Sequence, residues 1–119
     1  MNYRLIVIGS SLKDTSILEK YKILSETKFE AGTPKESSMY KIEIPESEVS
    51  YVSNFLKNSL KNQYYAHLYS EGSEKNTVIV VFPRQIFTNL KEAVAYGVLQ
   101  GIPEEQMDIK PTTILEEKW

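Results

Sequence analysis

QYYAHLYSEGSEKNTVIVVF, residues 63–82, decides the fold class. Two runs rich in aromatic and β-branched residues, QYYAHLYS (63–70) and NTVIVVFP (76–83), flank the polar, glycine-bearing segment EGSEK (71–75), which predicts a β-hairpin. Strand alternation in the first run places Tyr65, His67 and Tyr69 on one face and Tyr64, Ala66 and Leu68 on the other. In the second run Val78, Val80 and Phe82 oppose Ile79 and Val81. That run is apolar on both sides, so both of its faces need cover. Val78, Val80 and Phe82 are expected to join Tyr64, Ala66 and Leu68 beneath helices. Ile79 and Val81 would then share the second face with Tyr65, His67 and Tyr69. The cover there would be the N-terminal segment, through Leu5 to Ile8, or a second copy of the chain.

Helical spacing appears on either side of the hairpin. In ESEVSYVSNFLKNSLKN (46–62), Val49, Val52, Phe55, Leu56, Ser59 and Leu60 form one stripe, with Ser47 as candidate cap. Glu46 and Glu48 stand at its positive end, Lys57 and Lys61 at its negative end. In NLKEAVAYGVLQG (89–101), Asn89 and Glu92 have capping-box spacing, Leu90, Val94, Gly97 and Val98 form the stripe, and Gly101 stops the helix. MYKIEIP (39–45) alternates as a strand, with Tyr40, Ile42 and Ile44 inward and Lys41 and Glu43 outward. RQIFTN (84–89) either continues the preceding strand or bends away after Pro83, and Pro103 opens a further helical turn over 102–109. From residue 39 the order strand, helix, strand, strand, helix predicts an α+β fold. Its antiparallel sheet carries two helices on one face around a ferredoxin-like βαββα core. YRLIVIG (3–9) and KILSETKFE (22–30) read as further strands, DTSILEKY (14–21) as one or two helical turns capped by Asp14 or Thr15, and AGTPKESS (31–38) as a mobile turn cluster. They form an N-terminal extension.

Composition narrows the class. One domain spanning 1–119 is expected. Lys and Arg number 14 against 16 Asp and Glu, a formal charge of −2, too close to neutral to attract phosphate backbones, so a nucleic-acid partner is not expected. There is no cysteine and one histidine, which removes disulfides, thiolate nucleophiles and zinc-type sites. The N-terminal apolar run, Leu5 to Ile8, is too short for a signal peptide or a membrane helix, so a soluble, cytoplasmic protein with no membrane partner is expected.

YYAHLYSE (64–71), VIVVFPRQIF (78–87) and EAVAYGVLQGIPEEQMDIKP (92–111) resemble a family of small uncharacterised bacterial and archaeal proteins that share an AHLY strand, a VVF strand and an EA–YG–GIP–EQ–D segment. The resemblance spans roughly residues 39–111. It implies the same fold and supplies no catalytic residue.

Several features carry chemistry in principle. His67, flanked by phenols, is a candidate general base, weighed against a hydrogen-bonded histidine on a half-buried sheet. VIGSSLKDTS (7–16) places one glycine and two serines before a helix start, a weak anion-cradle pattern. The acidic pairs Glu46/Glu48, Glu104/Glu105 with Asp108, and Glu116/Glu117 have local explanations at helix starts and in the C-terminal tail. Arg84, one of two arginines, follows a buried strand and Pro83. It is placed either to clamp a carboxylate or phosphate or to pair with a neighbouring glutamate. No catalytic, cofactor-binding or metal-binding residue is assigned, and no cofactor is expected. The candidate interface or ligand face comprises Tyr65, His67, Tyr69, Ile79, Val81 and Arg84. The expected function is a non-enzymatic interaction or regulatory module that forms a homodimer. The alternative is a small enzyme with a pocket near His67 at a subunit interface.

Overall fold

Strand and helix patterns alternate along the chain. In the computed structural model, which describes residues 2–29, 32, 37–70 and 78–103, they become β1 (Asn2–Ile8), α1 (Ile17–Lys20), β2 (Lys22–Phe29), β3 (Ser37–Pro45), α2 (Val49–Ser59), β4 (Ala66–Ser70), β5 (Val78–Phe82), β6 (Gln85–Phe87) and α3 (Leu90–Leu99). Short 3-10 turns, Gly9–Ser11 and Glu46–Glu48, follow β1 and precede α2. The six strands form one antiparallel sheet in the order β2-β3-β1-β4-β5-β6. The fold is α+β.

The N-terminal strand is the centre of this sheet rather than an extension of it. Leu5 lies opposite Ile42 of β3 on one side and Leu68 of β4 on the other, and all three are 0% exposed. Because β3 and β4 each run antiparallel to β1, they run parallel to each other. Such a pair requires a crossover, which α2 supplies. A split β-α-β unit is therefore present. Its inserted strand is β1, whereas the ferredoxin-like reading would have inserted β5 there. Instead β5 lies outside β4 and turns back through β6.

The two larger helices also depart from expectation. Val52, Leu56 and Leu60 of the α2 segment pack with Leu5, Val7, Ile42, Ile44, Ala66, Leu68 and Val81. Ala93 of α3 packs with Tyr69, Val78, Val80 and Phe82, with Leu90, Val94 and Tyr96 against the same cluster. The helices thus lie on opposite faces of the sheet, not on one. The register between β4 and β5 explains this. Ala66 lies opposite Val81 and Leu68 opposite Ile79, while His67 faces Val80 and Tyr69 faces Val78. Opposite residues share a face, so Ile79 and Val81 belong with Ala66 and Leu68. A one-residue offset moves every side chain to the other side. Alternation within β5 cannot set that offset, because both of its faces are apolar. Both faces are covered, as expected, but by α2 and α3 of the same chain. The uncovered face that motivated a second copy does not exist at β5.

Smaller corrections have similar origins. Lys41, expected outward, is 2% exposed, on the same side as Arg4 and Glu43, which approach to 3.8 Å. A polar residue marks a side of the sheet, not its exposure, since a lysine stem packs as an apolar chain. In α3, Val98 is 45% exposed, and the buried positions are Ala93 and Gly97. The helix ends as expected: Gly101 adopts φ 89°, its amide donates to the Val98 carbonyl, and the Ile102 amide donates to the Gly97 carbonyl, a Schellman motif that buries Ile102. Asn89 caps the start by accepting the Glu92 amide at 3.2 Å. RQIFTN bends away as a separate edge strand. No helix among the described residues is long and apolar enough to cross a membrane.

Leu5 contacts the core from the middle of the sheet, so Leu5→Ala and Leu56→Ala are each expected to lower stability by about 2–5 kcal/mol, read as a fall in the denaturation midpoint. Ile79→Glu is expected to unfold the chain at every concentration, because Ile79 packs against the α2 core rather than a partner. Sedimentation beside circular dichroism separates that outcome from dissociation of a folded oligomer.

Candidate functional site

The second face of the sheet is an aromatic cluster. Phe82 is its hub, with ring centroids 5.9 Å from Tyr65, 5.8 Å from Phe87 and 4.9 Å from Tyr96, the last two edge to face. His67 lies on the same face between Ile6 of β1 and Val80 of β5, its ring 6.3 Å from that of Tyr69 and nearly parallel to it. Its nearest cross-strand neighbours are apolar. Burial pushes its pKa down to about 4, so the imidazole is neutral at pH 7. Tyr65, His67 and Tyr69 are thus together, as the sequence implies. Ile79 and Val81 lie on the other face, and Arg84 lies in the turn between β5 and β6. The six residues do not form one surface.

Arg84 instead belongs to a cleft at the end of the sheet. Pro83 and Arg84 connect Phe82 to its partner Gln85, and Arg84 adopts φ 69°. Proline followed by a positive φ is the order of a type II turn, whose second central position favours glycine. Gln63, which leads into β4, adopts φ 68°. These two are the non-glycine residues of positive φ among those described, and both line the same cleft. Each such conformation costs about 1–2 kcal/mol in a side-chain-bearing residue. Strained backbone at one location is a signature of sites held for function. The Arg84 amide donates to the Lys57 carbonyl in the last turn of α2 at 3.0 Å, which fixes the turn against the helix end.

The cleft is an open depression of about 670 Å³. Asn62, Gln63, Gln85 and Gln100 contribute carboxamides, Pro83, Tyr96 and Ile102 contribute apolar surface, and Arg84 contributes a guanidinium. No carboxylate is among the described lining residues, and among the described residues the Arg84 guanidinium has neither ion pair nor hydrogen bond. No glutamate pairs with it among the described residues. His67 does not line this cleft, so the imidazole and the guanidinium do not combine into one site.

The other sequence candidates are used internally. Past Gly9–Ser11, the amides of Lys13 and Asp14 donate to the Ser59 carbonyl and hydroxyl, and the Lys61 amide donates to the Ser11 carbonyl. These groups tie the N-terminal segment to the end of α2 and leave no anion cradle. Asp14 accepts the Ser16 amide, which holds its carboxyl below the usual carboxylate range. Glu48 accepts the Tyr21 hydroxyl at 2.9 Å, and desolvation together with that carboxylate pushes the Tyr21 phenol up to about 12. The hydroxyl is a fixed donor, not a base. No group of three potential metal ligands occurs among the described residues. EGSEK, Glu104, Glu105, Asp108, Glu116 and Glu117, and the middle of AGTPKESS, lie outside the described residues. The cleft itself was missed by sequence reasoning apart from Arg84. The carboxamides come from four separate segments, and only the unusual Pro-Arg turn gave a signal.

Comparison of the chain with protein-family models, with curated proteins and with solved structures finds no match.

Two outcomes follow from this geometry. Arg84→Gly is expected to raise stability by up to about 1 kcal/mol, since glycine relieves the positive φ but adds freedom to the unfolded chain. Thermal denaturation checks it. The second concerns pH. The unfolded chain holds a proton on His67 below about pH 6.5, whereas the folded chain refuses it down to about 4. Stability is therefore complete above pH 6.5 and falls as the pH drops toward 4, by up to roughly 3 kcal/mol, an upper bound because the residue retains some solvent contact. Urea titrations of the parent and His67→Gln across that window are expected to show a flatter dependence in the variant.

Proposed function

We propose that the chain is a non-enzymatic binding module and that its ligand site is the cleft at Arg84. The observation that supports this most directly is Arg84 itself: a guanidinium with no partner among the described residues, held by a strained turn at a cleft lined by carboxamide residues. Guanidinium groups suit carboxylates and other planar anions, and carboxamides read hydrogen bonds of either polarity. No carboxylate, imidazole or thiol is among the described residues lining the cleft. The one imidazole lies elsewhere among apolar neighbours, and general acid–base catalysis requires it within hydrogen-bond reach of a substrate. The alternative of a small enzyme with a pocket near His67 draws less support from this geometry. Self-association is a separate matter from this cleft: Ile79 and Val81, grouped with the partner's face, pack with α2 instead.

The test is an amide chemical-shift titration with acetate and with inorganic phosphate. Shifts are expected at Gln63, Arg84, Gln85 and Gln100, and Arg84→Gln is expected to abolish them while keeping the parent's melting temperature to within a few degrees. Shifts concentrated elsewhere, or unchanged in the variant, would overturn the assignment.

A further inference from the structure

We infer that the outer edge of β2 pairs with the same edge of a second copy of the chain, antiparallel about a two-fold axis at Thr27, so that two six-stranded sheets join into one. The inference is independent of the cleft at Arg84, which lies by the turn into β6 at the other edge of the sheet.

The two edges differ. β6 closes one side with three residues, Gln85–Phe87, and shortness is a common protection of an edge. β2 closes the other side with eight, Lys22–Phe29, none of them proline, against the usual five or six or about that in a strand. Among the described residues it pairs with β3 alone. Its outer side therefore presents a row of backbone donors and acceptors to another strand. Its one irregularity, between Ile23 and Ser25, lies toward its start and leaves residues 25–29 in continuous register with β3.

The side chains select the partner. Opposite residues of an antiparallel pair share a face, so in a two-fold pair of identical strands one residue must lie opposite its own copy. Ser25 in that position draws the irregularity into the pairing. Glu26 or Lys28 there sets like charges directly against each other, which destabilises a sheet. Thr27 there sets Glu26 opposite Lys28 of the copy and Lys28 opposite Glu26 of the copy. The two opposite-charge pairs lie on one face, and threonine meets threonine on the other. Glu26, Thr27 and Lys28 are all exposed. Ser38 of β3 orders the charges in advance: its hydroxyl donates to the Glu26 carboxylate and accepts from the Lys28 ammonium at 3.2 Å, and the two charges stand 3.6 Å apart. A carboxylate and an ammonium each bond several partners, so this arrangement still allows bonds across the axis. A lone lysine on an edge discourages pairing, but here a glutamate two residues away on the same face answers it. An unrelated strand has no reason to carry those charges in that order, whereas a second copy always does.

The experiment is sedimentation equilibrium of the full chain over a range of concentrations, at low and high salt, beside amide hydrogen exchange at low and high protein concentration. The parent is expected to exchange between monomer and dimer, with the dimer weakened by salt and the protection of amides in residues 25–29 rising with protein concentration. Glu26→Lys and Lys28→Glu each turn both attractive pairs into repulsive ones, and each is expected to weaken the dimer about 10-fold or more. The double variant Glu26→Lys/Lys28→Glu is expected to regain the parent's association, with circular dichroism checking that every variant stays folded. A parent that remains monomeric up to millimolar concentration overturns the proposal. So does a dimer indifferent to both single variants, which places the interface elsewhere, and so does a double variant that fails to associate, which rejects the register at Thr27. Protection of residues 25–29 that is independent of concentration overturns it as well, because the edge would then be occupied from within the chain. That last measurement uses the parent alone and does not depend on any variant folding.

Discussion

Everything in this fold depends on β1 pairing along both of its edges. Leu5 is hydrogen-bonded territory on either side and core beneath, and β3 and β4 are held parallel only because β1 lies between them. That arrangement obliges α2 to cross from one to the other, and the crossing lays its apolar stripe over Leu5, Ile42 and Leu68. The same crossing brings the end of α2 to the place where the chain enters β4. The segment after β1 is then stitched to that end through Ser59, by the amides of Lys13 and Asp14 and the isolated pairing of Leu12 with Leu60. Parallel neighbours with long connections are entropically demanding to close. Here the closure is shared by a central strand contributed from the distant N-terminus, which makes the first residues as structural as any in the core.

The second constraint is that β5 is apolar on both sides. A helix on one face leaves Val78, Val80 and Phe82 open, and the chain closes them with α3 after a two-residue turn. That turn must be tight for β6 to pair back at once, with Gln85 opposite Phe82. Tightness explains a positive φ at the second turn position. It does not explain arginine there, because glycine or asparagine meets the demand with less strain. A residue that stands against local preference at a concavity, with no side-chain partner among the described residues, is what motivates the proposed ligand site.

The sequence made the elements legible but not their arrangement. The stripe of α2, the cap at Asn89, the stop at Gly101 and the hairpin of β4 and β5 follow from spacing and turn chemistry, which are local. Register and sheet order are not local. Alternation groups Ile79 and Val81 with His67, and the offset between β4 and β5 that separates them cannot be read from a strand apolar on both faces. β1 read as an extension because nothing in YRLIVIG identifies its partners. Lys41 read as solvated because a charge in an alternating strand usually is. The cleft was illegible for a related reason: Asn62, Gln63, Gln85 and Gln100 are individually ordinary polar residues, brought together only by the convergence of two helix ends and a turn.

That convergence also places the cleft away from His67 and the center of the sheet. Helices laid across opposite faces by successive connections end here at one edge, α2 beside the entry to β4 and α3 beside the turn into β6. A helix end exposes carbonyls and repels anions, so an anion site at such a place needs a cation to reverse the local sign. In the proposed site Arg84 is one such cation, tied by its own amide to the carbonyl of Lys57 at 3.0 Å and with no side-chain partner among the described residues. Its backbone answers the helix and its side chain is left for something else. A guanidinium that served only to neutralise the helix end would gain by folding back onto it, and a glycine would make the turn with less strain. The turn sets the backbone of Arg84 against the end of α2, and its side chain lies at the cleft lined by Asn62, Gln63, Gln85 and Gln100, which is where the proposed ligand site is placed.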